Sequence, residues 1–228
     1  MADLTRLQQI LGIRFKEPAL LEQALIHSSY THENPAAAST NNERMEFLGD
    51  AILGAVIAER LYHLIPGAAE GEMSKLRAAL VSRNSLSQIA KRIGLDQYLY
   101  LGKGEEASGG RSKPSNLASV LEAVIAAIFL DSGWDAASDF VLRLFDTELK
   151  EAIDRGVETD YKSRLQNLIL SRQPDVPVYR IIEASGPAHN RSFTAEVIVS
   201  DAILGRGSGK SKKTAESEAA RSALEKLA

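Results

Sequence analysis

The first two thirds of the chain place apolar residues at the spacing of α-helices. Leu4, Leu7 and Leu11 recur every three or four positions, and the same spacing returns in each of the longer apolar stretches that follow. Pro66 and Gly67 end one of these stretches. The pattern predicts helices over residues 4–11, 18–28, 42–64, 70–93, 117–131 and 135–154, with a glycine-rich polar loop over 94–116.

The last third of the chain changes to the period of β-strands. Three segments alternate apolar and polar residues, and helical spacing precedes and follows them. The pattern predicts strands over 178–183, 193–199 and 202–208, and helices over 161–171 and 211–227. A short polar stretch with one glycine separates the two patterns and predicts a linker. We expect a multi-domain fold class with an all-α domain over residues 1–154, a linker over 155–159 and an α+β (αβββα) domain over 160–228.

Charge and composition narrow the classes of function. The net charge is −3, but residues 1–158 hold 16 Lys and Arg against 22 Asp and Glu, whereas residues 159–228 hold 11 against 8. An acidic part joined to a basic part suits a protein that meets a polyanion. The chain has no cysteine, which excludes disulfides, thiolate metal ligands and a cysteine nucleophile.

No apolar run approaches ~20 uninterrupted residues, so we expect no membrane span. The first residues lack the basic-then-apolar pattern of a signal peptide. Together with the absence of cysteine, this leads us to expect a cytoplasmic location.

Three carboxylates crowd the start of the helix predicted over 42–64. Glu46 and Asp50 are four residues apart, which places them on one face of a helix, and Glu43 lies one turn earlier. The apolar run that follows indicates a buried helix, where like charges repel and lose hydration. A divalent cation such as Mg²⁺, which prefers oxygen ligands, would relieve this repulsion. On spacing alone, a solvated acidic face is the more usual interpretation of such a cluster.

A single acid, Glu122, interrupts the very apolar helix predicted over 117–131. A carboxylate in such surroundings needs a partner or an ion. The sequence therefore indicates that this helix contributes to the same kind of site as the acids near residue 46.

The string Asn-Glu-Arg-Met-Glu-Phe-Leu-Gly-Asp-Ala-Ile-Leu at residues 42–53 resembles the signature of the ribonuclease III family, which cuts double-stranded RNA with Mg²⁺. Residues 20–30 resemble a second segment of that family. The resemblance covers nearly the whole chain. It implies hydrolysis of phosphodiester bonds by a homodimer, leaving 5′-phosphate and 3′-hydroxyl ends with a short 3′ overhang. Precursors of ribosomal and other RNAs are the substrates that it suggests.

The resemblance also implies roles for individual residues. Metal ligands would be Glu46, Asp50 and Glu122, with Mg²⁺ as the ion and Mn²⁺ as a substitute. The catalytic candidates are Asp50, Glu122 and Glu43. Glu70 is a candidate outer acid near the metal, and Phe47 is a candidate dimer contact, with core packing as its alternative.

Ser119 departs from the family pattern. Relatives usually carry Asp three residues before the acid that corresponds to Glu122, and both face the metal. A serine hydroxyl is a neutral and weaker ligand, so we expect lower Mg²⁺ affinity or a different sharing of the ions. The alternative function is a double-stranded RNA-binding regulator that cuts poorly.

The predicted αβββα part resembles the double-stranded RNA-binding domain. By this resemblance the phosphates of the major groove would meet Lys210, Lys212 and Lys213, where ammonium groups and a helix N-terminus both favour phosphate. His189 would enter one minor groove and Gln166 the other. The glycine-rich stretch 205–211 looks like a P-loop, but Leu204 occupies the required first glycine position, so we expect no nucleotide cofactor.

Overall fold

The computed structural model describes residues 3–36, 38, 40–187 and 191–227, without the side chains of residues 153–160. The chain divides into two compact units, Met1–Lys150 and Glu151–Ala228. The first unit is helical, and the second contains a three-stranded antiparallel sheet followed by a helix. The predicted fold class is confirmed.

The first unit is built around one apolar helix. Its helices are α1 Leu4–Leu11, α2 Pro18–Ala24, α3 Ser28–Glu33, α4 Glu43–Leu64, α5 Glu70–Leu80, α6 Arg83–Arg92, α7 Lys103–Ala107 and α8 Pro114–Leu144. Helix α8 packs against α4, α6 and α2. Its first half is mostly apolar and mostly buried, as expected of a helix surrounded by others.

Helix α8 also has the length and composition of a membrane span. In this fold 56% of its most apolar window is buried inside the protein, which is the behaviour of a core helix. Gly133 interrupts the helical backbone with a φ of +84°, a conformation that glycine adopts without a steric penalty. This break separates the helices predicted over 117–131 and 135–154. The second of these is itself divided, because α8 ends at Leu144 and the next helix begins at Asp146.

Two predicted helices are each divided by a cap. The helix predicted over 70–93 ends at Leu80 and restarts at Arg83, because the Ser82 side chain accepts a hydrogen bond from the Ser85 N–H. The helix predicted over 18–28 ends at Ala24, and His27 caps α3 by accepting from the Ser29 N–H. Side-chain caps of this kind compete with continuation of a helix.

The predicted polar loop over 94–116 is more ordered than its composition suggests. It contains α7 and two 3-10 turns, Leu95–Tyr98 and Gly110–Ser112. Leu95, Tyr98 and Leu99 are buried. The prediction of a polar loop is therefore wrong for these helical turns, where the apolar residues anchor the segment to the core.

Residues 155–159 lie within a helix. Helix α9 spans Asp146–Arg172 and includes the stretch that was predicted as a linker. No proline occurs between these residues, and a single glycine costs a helix only about 1 kcal/mol. The domain limits 1–154 and 160–228 stay a prediction.

The second unit covers one face of its sheet with helices. Strands β1 Val178–Ser185, β2 Ser192–Val199 and β3 Ala202–Gly209 pair antiparallel in the order β1-β2-β3, and α10 Lys212–Leu227 follows. The core joins Leu165 and Ile169 of α9 to the inward residues of β2 and to the alanines of α10. Strand limits agree with the prediction within two residues at each end.

Glycines in β3 allow α10 to approach the sheet closely. A Cβ atom at Gly207 would stand 2.2 Å from the Ala219 nitrogen, and one at Gly205 would stand 2.3 Å from the Ala219 oxygen. Real Cβ atoms do not make contacts this short. The glycine pattern that looks like a P-loop is therefore required by the packing of a helix on a strand.

Candidate active site

A cleft of about 530 Å³ lies between α4 and α8 at the start of α6. Helix α4 presents Glu43, Glu46 and Asp50 to it, one turn apart from each other. Helix α8 presents Ser119 and Glu122. The structure thus brings the five predicted catalytic and metal-binding residues to one cavity, whereas their roles stay predictions.

Close contact between the two helices explains why these side chains meet. Gly49 of α4 is buried against the backbone of Glu122 in α8. Glycine leaves room for this approach because it has no Cβ atom. Glu46 and Asp50 flank Gly49 in sequence, so the contact fixes the distance between their part of α4 and Glu122.

The cleft is electrostatically strained by its carboxylates. The pKa of Glu122 is raised from 4.5 to about 7, first by burial of its carboxyl group and then by the negative charges of Asp50 and Glu46. The Arg83 guanidinium acts in the opposite direction and lowers this pKa. A cation among the carboxylates would favour the charged form of Glu122 in the same way.

The donor set suits a hard divalent cation. Carboxylate and hydroxyl oxygens are the ligands that Mg²⁺ prefers, and imidazole or thiolate ligands are not among the cleft residues. Within the described parts of the chain, no three His, Asp or Glu side chains form a group tight enough to hold a metal by themselves. The acids therefore line the cleft without converging on one point.

Glu70 lies away from this cleft in its own chain. It begins α5 and accepts a hydrogen bond from the Ser74 hydroxyl at 2.7 Å. It lines a different groove, together with Tyr62 and Met73. Because each helical residue advances about 1.5 Å, the end of α4 lies about 27 Å from Glu46 along the axis. The structure does not bring Glu70 to the other acids.

Phe47 is 81% exposed on α4 and lines the rim of the acidic cleft. Core packing, its alternative interpretation, is therefore wrong. A large apolar side chain exposed to this extent loses hydrophobic free energy unless another surface covers it.

The RNA-binding candidates of the second unit are exposed. Gln166 lies on α9, and Lys212 and Lys213 form the first turn of α10. The Ser211 hydroxyl caps α10 by accepting from the Thr214 N–H at 3.0 Å. Lys210 precedes this cap and is also exposed. His189 lies outside the described residues.

An ion pair fixes the two helices that carry these side chains. Lys162 Nζ of α9 lies 2.6 Å from the Glu216 carboxylate of α10. Gln166 follows Lys162 by one turn, and Lys212 precedes Glu216 by one turn. The pair therefore holds the two candidate RNA contacts in a defined spacing.

Basic residues of the segment 102–113 are engaged within the protein. Arg111 pairs with Glu106 and donates to the carbonyls of Asp96 and Leu99. Lys113 pairs with Glu105 at 2.8 Å. These contacts favour a structural role for the two side chains over a contact with phosphates.

Sequence reasoning missed Arg83 and Ser115, which also line the cleft. Arg83 is far from the acids in sequence and matches none of the motifs quoted above. Only the packing of α6 against α8 places it there.

Two family models match the chain. One, described as Ribonuclease-III-like, covers residues 17–149, and the other, described as double-stranded RNA binding motif, covers residues 161–227. A Dehalococcoides mccartyi protein named Ribonuclease 3 is 52% identical over 100% of this chain and 96% of its own. The Treponema pallidum Ribonuclease 3 is 48% identical over 99% of this chain and 89% of its own.

Solved structures agree with these relatives. The nuclease domain of ribonuclease III from Campylobacter jejuni has a TM-score of 0.60 and 42% identity, covering 65% of this chain and 97% of that domain. A second structure of it, described by flexibility in a region involved in dimer formation, has a TM-score of 0.59 and 43% identity, covering 63% and 96%. Because the sequence similarity extends over both units, this chain belongs to the ribonuclease III family and is an endoribonuclease that carries a double-stranded RNA-binding domain.

Proposed function

We propose that this enzyme hydrolyses the phosphodiester bonds of double-stranded RNA at the acidic cleft, with Mg²⁺ as its metal. Ribonuclease III enzymes generally depend on a divalent metal. The observation that carries the proposal is the cleft itself, where burial and then the negative charges of Asp50 and Glu46 raise the pKa of Glu122 to about 7. Such crowding is costly unless it serves a cation or a reaction.

Glu46, Asp50 and Glu122 are the ligands that we propose, and Ser119 occupies the fourth place. When bound, Mg²⁺ would supply positive charge that stabilises the anionic transition state of phosphodiester hydrolysis. Mn²⁺, which accepts the same oxygen ligands, is the expected substitute. Glu43 lies at the cleft edge, where the Asn41 side chain donates to its carboxylate at 3.1 Å. This contact orients Glu43 for the catalytic role that we propose for it.

The proposed reaction adds water to the phosphorus atom and breaks the bond to the 3′ oxygen. The departing oxygen takes a proton, so the products are a 5′-phosphate and a 3′-hydroxyl. Cuts displaced between the two strands leave a short 3′ overhang. Ribosomal and other RNA precursors are the proposed substrates, and the cytoplasm is the proposed location.

The second unit would hold the duplex by its shape. Gln166 and the loop that contains His189 would meet minor grooves, and Lys210, Lys212 and Lys213 would meet the phosphates between them. Exposure of Gln166 and of the lysines at the start of α10 supports this assignment.

We propose a homodimer in which Phe47 lies at the contact between subunits. Its 81% exposure, and the 67% exposure of Tyr62 on the same helix, leave apolar surface that a second copy would cover. Sedimentation velocity of Phe47→Asp should show a monomer where the unaltered protein is a dimer. A dimer of unchanged stability would remove Phe47 from the contact.

The principal test replaces Glu122 by Gln in the full-length protein. Gln keeps the size of the side chain and removes its charge, so we expect cleavage of a long RNA duplex in Mg²⁺ to be lost while duplex binding is retained. Glu59→Gln, on an exposed part of α4, is the matched control and should cut normally. Undiminished cutting by Glu122→Gln would remove Glu122 from the site.

A second candidate function follows from Ser119, which leaves the cleft one carboxylate short of the family pattern. A duplex-binding regulator would bind RNA tightly but cut it in neither Mg²⁺ nor Mn²⁺. Cleavage by the unaltered protein that EDTA abolishes, with 5′-phosphates on the products, would exclude this alternative.

A further inference from the structure

Arg83 is held rigidly at the wall of the acidic cleft. It is the first residue of α6, directly after the capping Ser82. Leu86, one turn later, is buried in the core, as is Ile89. The backbone at Arg83 is therefore fixed at both the cap and the core, while its side chain is exposed and lines the cleft.

The guanidinium of Arg83 has no ion pair among the described residues, although acids surround the cleft. Arg92, at the other end of α6, pairs with Glu148, and Arg111 pairs with Glu106. The positive charge of Arg83 nevertheless lowers the pKa of Glu122, whereas the other carboxylates raise it. Its N–H groups are thus close to the acids without being bound by them.

An acidic cleft creates a difficulty for an enzyme whose substrate is a polyanion. Each carboxylate repels the phosphates that must approach it, at least until a cation is bound. Arginine carries a permanent charge and a planar set of five N–H donors that matches the oxygens of a phosphate. Arg83 is the cleft-lining residue of the described chain with these properties.

We propose that Arg83 binds a backbone phosphate of the RNA strand next to Glu122. The inference deepens the proposed function and rests on its placement of the reaction in this cleft. Ser119 favours the arrangement, because a serine in place of a further acid leaves four carboxylates in the cleft with the guanidinium rather than five. An arginine that only neutralised Glu122 would make no direct contact with the RNA.

The test compares Arg83→Ala and Arg83→Lys with Lys91→Ala in the full-length protein. Lys91 is an exposed cation at the far end of α6, so its removal controls for net charge. The substrates are a duplex with one cleavage site and the same duplex with neutral methylphosphonate linkages, placed singly at each phosphate near that site. Binding is measured separately in EDTA over a range of salt concentrations.

For Arg83→Ala we expect kcat/KM to fall by roughly 10- to 100-fold, the effect of losing a hydrogen bond to a charged group. On the substrate whose methylphosphonate replaces the contacted phosphate, Arg83→Ala and the unaltered protein should have the same kcat/KM. The slope of the logarithm of the dissociation constant against the logarithm of the salt concentration should decrease by about one, because one counterion fewer is released. Arg83→Lys should recover part of the loss because it keeps the charge.

The results separate this inference from the proposed function. If Glu122→Gln is inactive and Arg83→Ala behaves as Lys91→Ala does, Arg83 does not bind RNA. An equal loss on every methylphosphonate substrate, with an unaltered salt dependence, would also overturn the phosphate contact. If Glu122→Gln cuts normally, the site itself is wrong. Should Arg83→Ala fail to fold, Arg83→Gln answers the same questions, because it removes the charge and keeps a long polar side chain.

Discussion

Gly49 lies directly against the backbone carbonyl of Glu122. A Cβ atom at position 49 would stand 1.8 Å from that oxygen and 2.5 Å from its carbon, so no other residue fits without movement of a helix. The contact lies in the same turns as Glu46, Asp50 and Ser119. The packing of the core and the geometry of the cleft therefore depend on the same two residues.

Gly49→Ala should destabilise the nuclease unit and reduce cleavage together. The added methyl group must displace α4 from α8, and overpacking of this kind costs about 1–3 kcal/mol. Thermal unfolding monitored by circular dichroism and cleavage of an RNA duplex measure the two effects.

Gly54→Ala is the matched control for that substitution. Gly54 lies in the same helix, and a Cβ atom there would meet nothing within 4 Å. Alanine at this position should stabilise the helix by about 0.5–1 kcal/mol and leave cleavage unchanged. Equal behaviour of the two variants would contradict the role of the close contact.

Ser119→Asp should lower the Mg²⁺ concentration that gives half-maximal cleavage. An added unit charge about 4 Å from an ion contributes several kcal/mol even at an effective dielectric constant of about 20, so a shift of tenfold or more is reasonable. Calorimetric titration with Mg²⁺ in the absence of RNA provides a reading that does not depend on activity.

The same substitution should destabilise the protein in EDTA, because a fifth carboxylate adds repulsion to a cleft where the pKa of Glu122 is already raised. Added Mg²⁺ should restore the melting temperature. Ser119→Ala, which removes the hydroxyl without adding charge, should show neither effect. An unshifted Mg²⁺ requirement in Ser119→Asp would mean that residue 119 does not face the metal.

Replacement of Lys212 and Lys213 by Ala should weaken duplex binding and flatten its dependence on salt. Binding releases about one counterion for each phosphate contact. The double variant should therefore lower the slope of log Kd against log salt concentration by about two. Dissociation constants at several salt concentrations in EDTA measure this slope.

Lys226→Ala is the control, because Lys226 is exposed in the last turn of the same helix. Its removal changes the net charge without changing the N-terminal turn of α10. An equal slope for all the variants would refute the phosphate contacts.

Glu196 should make the sheet sensitive to acid. It is 3% exposed, and it accepts hydrogen bonds from Arg180 at 3.0 Å and Arg206 at 2.7 Å on the two neighbouring strands. The hydrogen bond from Arg180 and then that from Arg206 lower the pKa of Glu196 below its usual value despite the opposing effect of burial. A lowered pKa in the folded state stabilises the protein above the unfolded pKa, and this stabilisation is lost as pH falls through the folded value.

Calorimetric unfolding of the full chain should therefore show Glu196→Gln melting below the unaltered protein at neutral pH. The difference should shrink on acidification, beginning near the ordinary glutamate pKa of about 4.3 and continuing below it. A difference that stays constant from neutral to acid pH would show that charge does not contribute to this contact.

The sequence predicts best those features that depend on neighbouring residues. Helical spacing placed Glu43, Glu46 and Asp50 on one face of α4, and alternation located the three strands within two residues. Prediction failed where the cause is distant in the chain. Helix α7 begins where the Glu33 carboxylate, 70 residues earlier, accepts from the Lys103 N–H at 2.7 Å, and no local pattern reports such a cap.

The site shows the same division. The lone acid Glu122 in an apolar helix pointed to a role, but its meeting with α4 required the family resemblance and is realised by the Gly49 contact. Arg83 reaches the cleft only through tertiary packing, since its own segment predicted no more than a helix turn. Glu70 was associated with the acids by resemblance, whereas the length of α4 separates it from them in its own chain.

The contacts of Gly205 and Gly207 with Ala219 fix the distance between α10 and the sheet of the second unit. Helix α10 and strand β3 are in contact through their backbones. Their separation is therefore the smallest that sterics allow and does not depend on flexible side chains. Lys212 and Lys213 begin that helix, so the van der Waals contact between the two backbones sets their distance from the sheet. The distance from these lysines to the sheet, on which the proposed contact with duplex RNA depends, therefore does not vary with side-chain rotamers.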